Sequence, residues 1–209
     1  MRTGAPSLAF AGAGAPLTAD GIARACGILG VGEPELRAVL AVETSGSGFL
    51  ADGRPKILFE RHMFHRLTDG RHSAGHSDIS NPKRGGYLGG AAEYERLERA
   101  IALDRRAAFE STSWGLGQIM GFNAAMVGYA DAEAMARDFA DSADAQVVAV
   151  ARFIAASGAR THLAAHDWAS FARIYNGARF AENRYDQKLQ AAYERLAGDR
   201  PPAGVIDRA

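Results

Sequence analysis

The sequence predicts a mainly α-helical domain with one small β-hairpin in its N-terminal third. Apolar residues recur at helical spacing in block after block from residue 19 to residue 197. Only residues 48–60 read as strand, around an Asp52-Gly53 turn. Composition agrees: 209 residues with 47% apolar and 23% charged content suit one soluble domain with a real core.

Thr18 is a fitting N-cap for a helix over about 19–29, which Gly30 and Gly32 end. Pro34 suits the first turn of the next helix, about 33–44, where Leu36, Val39, Leu40 and Glu43 share a face. In the hairpin, Phe49-Leu50-Ala51 and Lys56 to Phe59 flank the turn, and Pro55 confines the second strand to an edge. A helix over about 60–68 carries Met63, Phe64 and Leu67. Residues 69–90 are polar and glycine-rich, and a loop of that length is either functional or disordered. Residues 91–109 read as one strong helix. After Ser111-Thr112-Ser113, helical patterns resume near 114–128, 132–140, 142–156, 167–175 and 182–197. Residues 1–17 read as a flexible leader, 18–197 as the folded domain and 198–209 as a flexible tail.

The 24 basic and 24 acidic residues cancel, which removes any global electrostatic case for nucleic acid. The single cysteine, Cys26, excludes an internal disulfide and reads as a small core residue. No stretch is long and apolar enough to span a membrane, and the N-terminus lacks the continuous apolar core of a signal peptide. Synthesis in a cytoplasm and a monomeric state are the expectations. His62, His65, His72 and His76 cluster in sequence without a His-Glu-x-x-His order, so neither a metal site nor a cofactor is expected.

Chemistry concentrates at Glu43, where an apolar helix runs into a small-residue turn, Thr44 to Gly48, ahead of a hairpin bearing more carboxylates. Glycoside cleavage needs one protonated carboxyl, whose pKa is raised by partial burial, and a second, ionised one in a wetter position. Glu43 is the candidate acid. Glu60, beside Arg61 and His62, and Asp52, at the hairpin tip, compete for the second role, with Glu60 slightly favoured. Asp52 also reads as the preferred first residue of an Asp-Gly turn, and Glu60 as an ion-pair partner. Ser113, Gln118, Tyr175 and Asn176 are candidates for binding sugar hydroxyls and N-acetyl groups, and Trp114 for an apolar plate under a pyranose.

Three segments appear in order: Val42-Glu43-Thr44-Ser45-Gly46-Ser47-Gly48-Phe49 followed by Asp52 to His62, then Ser113-Trp114-Gly115-Leu116-Gly117-Gln118-Ile119-Met120, then Tyr175-Asn176-Gly177. This concatenation resembles the N-acetylmuramidase family of phage and prophage endolysins, within the lysozyme superfamily that includes goose-type lysozymes and lytic transglycosylases. The resemblance covers about residues 18–197. It implies a lysozyme-like α+β fold with a cleft between two lobes. It also implies hydrolysis of the β-1,4 bond between N-acetylmuramic acid and N-acetylglucosamine in peptidoglycan, leading to bacterial lysis. Many members carry an extra wall-binding module, for which this sequence leaves no room. An endolysin made in the host cytoplasm reaches the wall, on the periplasmic side, through a membrane-pore partner such as a holin. The runner-up activity is that of a lytic transglycosylase, which forms 1,6-anhydro products. A non-catalytic glycan-binding module is the alternative from another class.

Overall fold

The computed structural model describes residues 10–43, 46–178 and 180–198, apart from the side chain of Glu43. Helices α1 (Ala19–Leu29) and α2 (Glu33–Glu43) lead to strand β1 (Ile57–Phe59) and helix α3 (Arg61–Leu67). Then come α4 (Ala92–Leu103), α5 (Arg105–Glu110), β2 (Thr112–Trp114) and β3 (Ile119–Met120). Helices α6 (Ala132–Asp141), α7 (Ala143–Ala156), α8 (Arg160–Ala164), α9 (Trp168–Tyr175) and α10 (Tyr185–Gly198) complete the domain. No described helix is long and apolar enough to cross a membrane.

Helix α7 is the axis of the core, with Val147, Ala149, Val150, Ala151 and Ile154 all buried. An apolar face this wide needs neighbours on several sides. Helix α1 packs along it, and α2 packs along α10. The first docking is polar at its end. The Thr18 amide and hydroxyl both donate to Asp144 on α7, at 2.8 and 2.6 Å, while the hydroxyl oxygen caps α1 by accepting from the Gly21 amide at 3.1 Å.

The expected hairpin is present but short, and the sheet reaches beyond it. Asp52-Gly53 does turn the chain, with the Gly53 amide bonded to the Leu50 carbonyl at 3.1 Å. Beyond the turn Leu50 donates to the Arg54 carbonyl and Lys56 to the Gly48 carbonyl, both at 2.8 Å, on either side of a single Phe49–Pro55 bridge. Strand β1 finds its partner far along the chain. It pairs antiparallel with β2 in the register Ile57↔Trp114, Leu58↔Ser113, Phe59↔Thr112, and β3 completes a three-stranded sheet.

Other segments also depart from expectation. The helix expected over 91–109 breaks at Asp104, whose extended backbone (φ −156°) ends α4 and whose carboxylate caps α5 through the Ala107 amide at 2.9 Å. Residues 114–128 form no α-helix. Gly115 sits in the left-handed region (φ 67°) and turns the chain from β2 into β3. Residues 10–17, expected as part of a flexible leader, are pinned. Gly14 and Ala15 donate to the carbonyls of Ala140 and Asp141 at 3.0 and 2.8 Å, and Ala15 accepts from Ala143 at 2.9 Å. The Phe10 ring lies 5.0 Å from that of Tyr94. The rest of the expected leader and tail, residues 1–9 and 199–209, lies outside the described residues.

The glycine-rich stretch 69–90 is organised by an ion pair beneath it. Glu93 and Arg96 on α4 are both buried, with their charged groups 2.8 Å apart. Glu93 accepts from the amides of Leu88 (2.6 Å), Gly89 (3.0 Å) and Phe59 (3.2 Å). Arg96 donates to the carbonyls of Phe59 (3.2 Å) and Asp78 (2.8 Å). The pair therefore fastens the loop to β1.

Candidate active site

Helix α2 ends on Glu43. The Glu43 side chain, Thr44 and Ser45 lie outside the described residues. The chain returns at Gly46 and meets the sheet at once, where the Lys56 amide donates to the Gly48 carbonyl at 2.8 Å. Along β1 the side chains alternate: Ile57 and Phe59 enter the core, while Lys56, Leu58 and Glu60 take the outer face. The alternation continues through Glu60, because its amide still bonds to the Ser111 carbonyl at 3.0 Å. On that outer face lies an open groove of about 330 Å³, lined by Ser47, Lys56, Leu58, Gly90, Leu116 and Gln118 among others.

A buried side chain that sequence reasoning missed holds this arrangement. Gln146, on α7, accepts from the Leu116 amide at 2.7 Å and donates to the Phe139 carbonyl at 2.8 Å. It also fills the space beside Gly48, where a Cβ would collide with its carboxamide. One side chain thus positions the β2–β3 turn against the turn that follows Glu43. A lone glutamine in the apolar run of α7 was the available signal. Gln146→Leu is expected to strand a buried amide and a carbonyl. The cost is about 1–3 kcal/mol, read by denaturant unfolding, with a fall of about tenfold in lytic rate as the turn shifts.

Gln118 lines the groove, but its carboxamide is committed to the turn. It donates to the Gly115 carbonyl at 2.8 Å and accepts from the Ser113 hydroxyl at 2.9 Å. Ser113 is buried and serves Gln118. Trp114, considered as a sugar plate, has no exposed surface. It stacks on Phe109 at 5.5 Å and 10°, with its indole N–H donating to the Phe109 carbonyl at 3.3 Å. Its place opposite Ile57 in the sheet sends it into the core. Tyr175 ends α9 and stacks on Phe171 at 5.5 Å, and the Asn176 amide closes that helix on Ala172 at 2.8 Å.

The fold separates the two candidates for the second carboxylate. Asp52 stays at the exposed tip, where Arg54 donates to it through Nε (2.9 Å) and Nη2 (2.6 Å). Those hydrogen bonds hold its pKa below the ordinary carboxylate value. The same guanidinium lies 4.1 Å over the Tyr94 ring, and the Tyr94 hydroxyl donates to the Pro55 carbonyl at 2.8 Å, so the tip is anchored to α4. Glu60 is mostly buried at the start of α3, and both its oxygens accept from the Tyr87 hydroxyl, at 3.0 and 2.9 Å. Burial and the Glu60 charge push the Tyr87 pKa up. His62 approaches Glu60 within 3.0 Å without hydrogen-bond alignment, and burial outweighs that charge to hold the imidazole below its usual value. The other sequence-clustered histidines part company: His65 bonds to Ser73 at 2.8 Å, and His72 packs on Phe64.

A mostly helical domain with an open groove on a small antiparallel sheet, and with its second helix ending on a glutamate, has the lysozyme-like plan for cleaving glycans. The comparisons narrow this class. The N-acetylmuramidase family model matches residues 33–197, from the start of α2 into α10, and the chain belongs to that family. It is a glycoside hydrolase of peptidoglycan. Among solved structures, the crystal structure of the Burkholderia AP3 phage endolysin is 42% identical. It superposes with a TM-score of 0.82 over 87% of this chain and 72% of the other. No curated protein matches the chain.

Proposed function

We propose that this protein is an endolysin that cleaves the β-1,4 bond between N-acetylmuramic acid and N-acetylglucosamine, with Glu43 as the general acid. The family match, which begins with the very helix that Glu43 closes, carries this reading. Two physical features support it. A helix C-terminus disfavours negative charge, which favours the protonated carboxyl that a leaving glycosidic oxygen needs. The groove is open, as a polymeric substrate requires, and its lining mixes a cation, hydroxyl and amide groups with Leu58 and Leu116. In this reading Tyr175 and Asn176, at the end of α9, meet the polar groups of the sugars, while Gln118 holds the turn that lines the groove. The enzyme acts as a monomer on the wall in the periplasm, after release through a pore such as that of a holin.

Mass spectra of digested sacculi test the reaction. Fragments ending in reducing muramic acid are expected. Fragments ending in 1,6-anhydromuramic acid would replace hydrolysis with the transglycosylase route.

A further inference from the structure

The loop over the far end of the groove has a construction that acid catalysis leaves unexplained. Its sequence is Gly85-Gly86-Tyr87-Leu88-Gly89-Gly90, and all four glycines have positive φ, at 91°, 77°, 75° and 56°. Only glycine takes such values without strain, so the loop is shaped to thrust two residues outward. Those residues are large and apolar, yet 43% of Tyr87 and 61% of Leu88 is exposed. The loop is also fixed from several directions. Arg61 donates to the carbonyls of Lys83 (2.9 Å) and Arg84 (3.1 Å). Glu93 holds the amides of Leu88 and Gly89. Glu60 holds the Tyr87 hydroxyl with both oxygens. Gly89 and Gly90, the next residues, line the groove itself. An apolar pair displayed at the rim of a substrate groove, and held there by a buried carboxylate and an arginine, is built to be touched by a ligand.

We propose that Tyr87, with Leu88 beside it, is a platform for an N-acetylhexosamine ring of the glycan strand, and that Glu60 is the positioning residue that orients it. This rests on the muramidase reading for the identity of the strand. Continuity with the groove decides the occupant: a chain lying across Lys56 and Leu58 runs next to Gly89, Gly90 and the platform. A pyranose presents an apolar C–H face that suits an aromatic ring, and its acetyl methyl suits Leu88. The position of Glu60 agrees. It lies four residues, about 13 Å, along β1 from Lys56, where the turn after Glu43 meets the sheet, so it serves a sugar away from that turn.

Binding and turnover of a soluble peptidoglycan tetrasaccharide of alternating N-acetylglucosamine and N-acetylmuramic acid test the proposal. Binding is measured by calorimetry in a Glu43→Gln background, so that the ligand stays intact. Tyr87→Ala is expected to weaken binding about tenfold. Tyr87→Phe, which removes the hydrogen bond to Glu60, and Glu60→Gln, which takes the charge from its acceptor, are each expected to weaken it about threefold, and the double variant no more than the weaker single, because both act on one hydrogen bond. With Glu43 intact, Glu60→Gln raises KM while kcat stays within about threefold of the parent. Unchanged binding by a folded Tyr87→Ala protein overturns the platform, as does absence of tetrasaccharide binding by the Glu43→Gln parent. A hundredfold loss of kcat in Glu60→Gln, with KM unmoved, makes Glu60 a catalytic carboxylate and overturns its positioning role. Tyr87-dependent binding by a protein that releases no reducing ends supports the platform and removes the hydrolase reading alone.

Discussion

Glu43→Gln is expected to abolish lysis of outer-membrane-permeabilised cells while leaving the protein folded. The amide keeps the size of the acid and loses the proton that the glycosidic oxygen needs. General acid catalysis alone is worth about 10²–10⁴-fold. The fold should survive because α2 is held by Leu36, Val39 and Leu40, all buried, and by its packing on α10. Turbidity clearance and the release of reducing ends measure the loss, and an unchanged thermal midpoint shows that it is chemical. Normal activity in the folded variant would remove the assignment of the acid.

The largest effect on stability is expected at Glu93. Removing one partner of a buried ion pair costs about 3–5 kcal/mol. For a domain of this size that lowers the thermal midpoint by roughly 6–20 °C. Glu93→Ala also deprives the amides of Phe59, Leu88 and Gly89 of their acceptor, so β1 and the rim of the groove loosen together. Replacing a buried pair with apolar residues often restores stability. Here a Glu93→Leu, Arg96→Met double variant is expected to remain destabilised, since those amides still lack a partner. Thermal unfolding read by circular dichroism decides this, and recovery of the parental midpoint in the double variant would show that the amides contribute little.

Most helices were legible because their apolar spacing is local. Thr18 and Gly30 mark the ends of α1 in the sequence as they do in the structure. The sheet was not legible, because β1 pairs with a strand more than fifty residues away and its period-2 pattern is only three residues long. Asp104 was hidden inside a run of good helix formers, where a cap and a solvated carboxylate look alike. At the site, Glu43 stood out by its place between an apolar helix and a glycine turn. Trp114 was misjudged because a tryptophan within a glycine-rich motif carries no sign of which sheet face it occupies. Asp52 and Glu60 follow Glu43 on the same short stretch of chain, and only the fold hands one to Arg54 and the other to Tyr87. Glu93 and Arg96 carry no local sign of their burial. Nothing local to α4 announces the loop that covers them.

The close fit around the β2–β3 turn has a mutational consequence. A methyl group at Gly48 would strike Gln146 and crowd the Leu116 backbone, at Gly117 it would strike Val150, and at Gly121 the Phe109 carbonyl. These positions around the β2–β3 turn therefore resist substitution. The outward side chains at 87 and 88 meet no such barrier. Single substitutions are therefore expected to meet less steric resistance at the rim than at these glycines.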